Sequence, residues 1–403
     1  MVQSGLRNYF EQYIDKEPIF RNKSVLQSNY TPEFISHRDK QIEYVASILA
    51  PTLRMDKPSN LFIYGKTGTG KTLSVRYTTK EIEQIAQEKD LPIKVIYLNC
   101  KLKKVVDTEY RIIAQLAREF GKEIPATGLP TDEIYKIFYS AVESQEVLIL
   151  IVLDEIDQLV KKIGDEVLYN LTRINSDLKK SQISIIGISN NLIFTDNLDP
   201  RIKSSLSEEE LVFPPYNALQ IQSILKQRVG KAFVDGRVED GLIEKCAAYA
   251  ARDHGDARRA IELLRVAGEI AERENSSKVF ISHLDKAEDK IEKDRVIDIV
   301  STQPKQHQLV LYAIIELYDR NKDNIFTGEV YDIYKNLCTK LNFRPLTQRR
   351  VSDVIGEFDM LGILNVKVVS KGRYGRTREI LLAIPNQTKD RIKKLLDDDL
   401  NLS

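Results

Sequence analysis

An apolar tetrad runs straight into a glycine-rich turn: Leu61-Phe62-Ile63-Tyr64 is followed by Gly65-Lys66-Thr67-Gly68-Thr69-Gly70-Lys71-Thr72. The octet has the spacing G-x-x-x-x-G-K-[ST], and few patterns restrict a fold more. A strand, a tight glycine turn and a helix aim successive backbone N–H groups at one point, where a polyphosphate is held. In that arrangement Lys71 reaches the β- and γ-phosphates and the Thr72 hydroxyl ligates Mg²⁺. A strand-to-helix turn without a ligand is the alternative, and the strand placed directly before the loop outweighs it. A nucleoside triphosphate site follows.

The rest of the 403-residue chain says what kind of protein carries this loop. Its length suggests two or three domains with their own cores, and 42% hydrophobic with 30% charged residues is the balance of a highly charged globular protein. A net charge of +1 excludes a global attraction to nucleic acid, so any such affinity has to come from a local patch. Cys100, Cys246 and Cys338 lie far apart, without the paired spacing of zinc or redox chemistry, and read as small buried residues in a reducing cytosol. His37, His254, His283 and His307 are too dispersed for a metal site. The longest apolar run, Val147 to Leu153, is strand-sized, so neither a secretory signal nor a membrane span is expected and the expected location is cytoplasmic.

From about residue 38 to 213 the pattern alternates. Helices are expected over Arg38–Leu53, Lys71–Lys89, Asp107–Phe120, Asp132–Glu143 and Asp165–Asp177. Strands are expected at Leu61–Tyr64, Ile93–Asn99, Val147–Leu153 and Ile183–Ser189. Strands apolar throughout and separated by helices imply a parallel sheet covered on both faces. Pro214-Pro215-Tyr216 ends the alternation, and residues 218–293 keep helical spacing. After Ser301-Thr302-Gln303-Pro304 come helices at Lys305–Asp319, Thr327–Leu341 and Thr347–Leu361, then extended segments Ile363–Val369 and Thr377–Ile384 around a basic turn. That order describes a winged helix-turn-helix. The expected division is an α/β nucleotide-binding domain over residues 1–213, a helical lid over 214–300 and a winged helix over 301–395.

The run Val147–Leu153 ends in Asp154-Glu155-Ile156-Asp157. Ligands of a parallel sheet lie beyond the carboxyl ends of its strands, so the acids face the phosphate loop. Asp154 then holds Mg²⁺ and Glu155 orients and deprotonates the attacking water, while Asp157 reads as a helix-start carboxylate. Ile183–Ser189 ends in Asn190-Asn191. The Asn190 amide can hydrogen-bond that water or the γ-phosphate, although asparagines in a turn look the same on spacing alone. Arg201, in Asp199-Pro200-Arg201, and Arg258, in Gly255-Asp256-Ala257-Arg258-Arg259-Ala260, are candidates to neutralise transferring phosphate. Each taken singly also reads as a surface ion-pair arginine.

Between residues 367 and 378 stand five bases, Lys367, Lys371, Arg373, Arg376 and Arg378, and no acid. A wing of this kind, with Tyr374 at its tip, can track phosphates and enter the minor groove; the alternative is a charged hairpin edge that discourages aggregation. Thr347, Gln348, Arg349 and Arg350 crowd the first turn of a helix, where base edges are read, and Arg344 sits upstream as a phosphate contact. Val351, Val354, Ile355, Phe358 and Leu361 read as core. The run Asp397-Asp398-Asp399 reads as a solvated end.

Taken in order, GKTGTGKT, LDEID, ISNN, DPRIKSSL and GDARRA before a winged helix resemble the AAA+ replication initiators, and more narrowly the archaeal proteins akin to the origin recognition complex and cell-division-cycle ATPases. The likeness runs from about Ile19 to Ile384. It implies ATP or ADP with Mg²⁺ as ligands, Asn190 as sensor one, Arg258 as sensor two in cis and Arg201 as an arginine finger. His37 and Arg38, after Tyr30-Thr31-Pro32, match the family's adenine-side approach. An initiator-specific insertion that touches DNA falls near residues 101–131, where Lys101, Lys103 and Lys104 follow the second strand. The implied function is an ATP-dependent switch, slow in hydrolysis, that binds and deforms double-stranded origin DNA in the nucleoid. It would act with other initiator subunits and the replicative helicase, without a membrane. Two other readings stay open: a regulatory ATPase whose winged helix mediates protein contacts, and a clamp-loader-like motor.

Overall fold

The computed structural model describes residues 17–402 apart from 28–29, 102–107, 126–127, 195–197, 207, 253–254, 321–324 and 371–375; for Ser370, Arg376 and Gln387 it describes the backbone alone. The chain divides into two compact units between Leu284 and Asp285. The expected boundary at residues 213 and 214 lies inside the first unit.

In the first unit the strands β1 (Leu61–Tyr64), β2 (Ile93–Asn99), β3 (Leu148–Asp154), β4 (Gln182–Ser189) and β5 (Glu209–Val212) form one sheet in the order β2-β3-β4-β1-β5. All its pairings are parallel. Strand β3 is buried at every position. Its side chains alternate between two cores: Leu148, Leu150 and Val152 meet Ile63, Val75 and Ile186, while Ile149, Ile151 and Leu153 meet Ile112, Phe138 and Leu168. A strand buried on both faces therefore carries an unbroken apolar run, each such side chain contributing about 1.5–3 kcal/mol.

Helices α1 (Asp39–Leu49) and α2 (Lys71–Glu88) cover the first of these faces through Val45, Leu49, Val75 and Ile82. Helices α3 (Glu109–Arg118), α4 (Thr131–Glu143), α5 (Ile156–Ile163), α6 (Glu166–Arg173) and α7 (Pro200–Leu206) cover the second, each with an apolar stripe such as Ile112 and Leu116 or Ile134 and Phe138. Edge strand β5 was not foreseen. Glu209 and Glu210 break the apolar run, and a charged edge of this sort blocks pairing with another sheet.

The rest of the first unit is helical, as expected: α8 (Ala218–Ala232), α9 (Leu242–Arg252), α10 (Ala257–Arg273) and the start of α11 (Ile281–Ser301), which runs across the divide. Helix α8 opens on a capping box between Asn217 and Gln220. The segment before α1 joins this part, with the Phe20 ring 4.8 Å from that of Phe233.

The second unit contains α12 (Lys305–Asp319), β6 (Ile325–Phe326), α13 (Thr327–Lys340), α14 (Gln348–Met360), β7 (Leu364–Ser370), β8 (Arg376–Leu382) and α15 (Asn386–Leu400). The expected hairpin is β7 with β8, and short β6 pairs antiparallel with β8 to make a third strand. The acidic run, expected as a solvated end, is exposed at Asp398 and Asp399 but is helical. Asp397-Asp398-Asp399 belongs to α15, whose Ile392, Leu396 and Leu400 are buried at one-turn spacing. Gln308 donates to the Asp399 carboxylate at 3.2 Å, and the expected domain end at residue 395 falls inside this helix. Leu361, expected in the core, is 40% exposed, whereas Val351, Val354, Ile355 and Phe358 are buried.

Candidate functional site

The octet Gly65–Thr72 bridges β1 and α2 as the spacing requires. Gly68 has φ 67° and Gly70, at the cap of α2, φ 89°, both in the left-handed region that glycine alone enters without strain. Lys71, buried, turns its ammonium back over the loop and donates to the carbonyls of Gly65 and Lys66, each at 2.7 Å. The same ammonium donates to Asn190 Oδ1 at 2.8 Å. Burial, and then the nearby Arg258, lower its pKa to about 8, against the pull of Asp154, Asp157 and Asp256. A buried cation whose hydrogen bonds end on neutral oxygens is set to receive an anion.

The carboxyl ends of β3 and β4 supply the acids and the amide. Thr72 Oγ1 donates to Asp154 Oδ2 at 3.0 Å, and the Tyr97 hydroxyl of β2 donates to the same oxygen. Burial, and next the bond to Asp154, raise the Tyr97 pKa, so the phenol keeps its proton and is the donor. Asp154 Oδ1 accepts from the Glu155 amide at 3.0 Å. Glu155 takes a left-handed backbone (φ 56°, ψ 45°), turning the chain from β3 into α5. Asp157, in the first turn of α5, accepts from Ser189 Oγ at 3.0 Å and from the Asn190 amide at 3.4 Å, tying the end of β4 to α5. Lys71, Thr72, Asp154, Glu155, Asn190 and Arg258 thus line a single polar cavity of about 200 Å³. Its hydroxyl and carboxylate oxygens are the hard donors that Mg²⁺ takes, alongside phosphate and water. A second cavity of about 1030 Å³ shares Gly68, Gly70, Thr72 and Arg258 and extends past Tyr30, Ile35 and Tyr216.

The helical part closes directly on the loop. Asp256 caps α10, its Oδ1 accepting from the amides of Arg258 and Arg259 at 2.8 and 3.2 Å. Its Oδ2 accepts from Thr67 Oγ1 at 3.2 Å, and the Ala257 amide donates to the Gly68 carbonyl at 3.3 Å. A methyl on Gly68 would lie 1.7 Å from Asp256 Oδ1, so this approach needs glycine.

The other expected residues do not line the polar cavity. Arg38 is 2% exposed and braces the phosphate loop against the segment after β5: Nε donates to Thr69 O at 2.8 Å, Nη2 to Pro214 O at 2.6 Å, and the guanidinium stacks 3.8 Å from the Tyr216 ring centre. His37 is exposed with φ 61°, and neither residue lines the two cavities. Arg201 stands exposed on α7, paired with Asp199 at 2.9 Å and outside both cavities. Sequence reasoning missed Tyr97, Arg76 and the Asp256–Thr67 contact. Only Asp256 had a signal, as the N-cap of GDARRA.

In the second unit Gln348, Arg349 and Arg350 are exposed in the first turn of α14, and Thr347 caps it, accepting from the Arg350 amide at 3.3 Å. Arg350 also pairs with Glu357 at 3.4 Å. Arg344 is exposed. Lys367 is exposed on β7, but Arg378 turns inward and donates to Ser352 O at 2.6 Å, which removes it from the free cations of the wing. Lys371, Arg373 and Tyr374 lie outside the described residues, as do Lys103 and Lys104, and of Arg376 only the backbone is described.

Three family models match the chain: an AAA domain over residues 54–195, a Cdc6 AAA+ ATPase-type lid domain over residues 222–289 and a CDC6 C-terminal winged helix domain over residues 298–390. The ORC1-type DNA replication protein 1 of Methanosarcina mazei is 53% identical over 396 residues, 98% of this chain and 94% of that protein. The ORC1-type DNA replication protein of Thermococcus onnurineus is 52% identical over 406 residues, 100% and 96% of the two chains. Among solved structures, the Aeropyrum pernix ORC1 protein in complex with DNA aligns with a TM-score of 0.82 at 43% identity, over 95% of this chain and 98% of that one. The Aeropyrum pernix ORC2 protein in its ADPNP-ADP complexes aligns with a TM-score of 0.59 at 22% identity over 95% and 99%, a likeness of fold.

Proposed function

The chain belongs to the family of ORC1-type DNA replication proteins, and we propose that it is an initiator that binds and deforms origin duplex DNA, with ATP binding and slow hydrolysis as its switch. The observation that carries this reading is the meeting of sheet and lid at the phosphate loop, where Lys71, Asn190, Asp154 and the N-terminus of α10 share one cleft. The loop amides and Lys71 hold the β- and γ-phosphates. Thr72 and Asp154 hold Mg²⁺, which when bound screens phosphate charge. Glu155 aligns a water and takes its proton, and Asn190, released by Lys71 when phosphate arrives, reports whether a γ-phosphate is present. Arg258 comes from the lid, so hydrolysis is coupled to how the lid sits on the sheet domain.

Exposed Arg201 is assigned to a neighbouring subunit's nucleotide, which makes assembly on DNA a condition for turnover. The first turn of α14 and the wing supply base and phosphate contacts, and the DNA-bound chain recruits the replicative helicase in the nucleoid. One observation favours the alternative of a winged helix that binds protein: Met360 and Val368 are 82% and 61% exposed while Arg350 and Arg378 are engaged internally. Footprinting over the protein's own genomic DNA with ATP and with ADP separates them. A discrete protected site with distorted flanks is expected, and no protection in either nucleotide would overturn the initiator reading.

A further inference from the structure

Tyr97 sits on β2 opposite Val152 of β3, one pleat short of the Asn99–Asp154 pair at the carboxyl end of the sheet. From there its side chain stands on the α2 side, and its hydroxyl reaches Asp154 Oδ2, the oxygen that also accepts from Thr72. Oδ1 of the same carboxylate is held by the Glu155 amide at 3.0 Å. Donors from β2, α2 and the start of α5 thus fix the rotation of one carboxylate. Arg76, one turn beyond Thr72 on α2, lies 3.9 Å from the centre of the Tyr97 ring and clamps it from the solvent side. Both residues line the polar cavity itself. A half-buried phenol often does no more than find an acceptor for its proton. This one has chosen the acidic oxygen at the ligand site and is pinned there by a cation.

We propose that Tyr97 is a positioning residue for the metal: it orients Asp154 so that this carboxylate and the Thr72 hydroxyl present their oxygens to Mg²⁺ together. The proposal rests on the reading of this cleft as a magnesium-nucleotide site. Groups that orient a ligating carboxylate commonly change metal affinity by 10–100-fold when removed.

The test uses the full chain and methylanthraniloyl-labelled ATP, followed by fluorescence during a Mg²⁺ titration and, separately, in EDTA. Tyr97→Phe keeps the ring and removes the hydroxyl. The half-saturating Mg²⁺ concentration is expected to rise about tenfold while affinity in EDTA stays unchanged. Thermal melting of the nucleotide-free variant at the wild-type temperature shows that the fold is intact. A Mg²⁺ titration that superimposes on wild type overturns the positioning role and leaves the nucleotide reading standing. Equal weakening with and without Mg²⁺ overturns it too, because the loss then lies in pocket shape. A wild-type chain that binds no labelled ATP overturns the reading of the cleft itself, and the proposal with it.

Discussion

The ammonium of Lys71 donates to the side-chain oxygen of Asn190 at 2.8 Å, joining the phosphate loop to the end of β4. Its two other bonds end on carbonyls of its own loop. The cation is buried against neutral oxygens, and a polyphosphate would replace those oxygens with charge. Removing Lys71 therefore removes the main anchor. Lys71→Ala is expected to weaken nucleotide binding by about a hundredfold or more, because a strong charge-assisted hydrogen bond to phosphate disappears, and calorimetry measures this.

The same burial makes a prediction about pH. Folding lowers the Lys71 pKa from 10.5 to about 8. Between those values the unfolded chain holds the proton that the folded chain has released, so stability rises with pH across this window. Below pH 8 the cost of the buried charge is fully present. Denaturant melts from pH 7 to 10.5 should show a wild-type slope steeper than that of Lys71→Met by up to about 1.4 kcal/mol per pH unit. Parallel curves would refute the shift.

Glu155 is placed at the turn out of β3, with its amide on Asp154 and its side chain at the cavity. As the base, its replacement by Gln should lower hydrolysis by about 10²–10⁴-fold while bound ATP is retained. Single-turnover kinetics checks this. Undiminished hydrolysis would assign the proton transfer to another group.

Asp256 joins two roles, capping α10 and receiving Thr67 of the loop. Asp256→Ala should cost about 1 kcal/mol of stability through the cap, lowering the melting temperature by about 2–4 °C. Asp256→Asn keeps a capping oxygen and should restore most of it. Calorimetric melts that leave Asp256→Ala at the wild-type temperature would show that the cap contributes nothing.

How far residues could be read from sequence depended on whether their partners were local. The phosphate loop, the apolar run into Asp154-Glu155 and the helix spacing are local patterns, and the parallel sheet followed from them. Arg38 reads from sequence as a nucleotide-side residue. Its partners include Pro214, far along the chain, and only the fold brings that carbonyl to 2.6 Å. Tyr97 shows the same limit, since a tyrosine in an apolar strand reads as core until β3 is laid beside it. Strand β5 was hidden by Glu209 and Glu210, and α15 by its acidic run, although Ile392, Leu396 and Leu400 carried the helical spacing.

The salt dependence of duplex binding tests most directly whether the nucleotide switch acts on duplex DNA. Affinity for origin DNA should fall steeply with salt in a log–log plot, and removing Arg373 and Arg376 together should flatten that slope by about 2, one for each phosphate that is no longer neutralised. Absence of salt-dependent duplex binding by the wild-type protein near neutral salt would contradict the account.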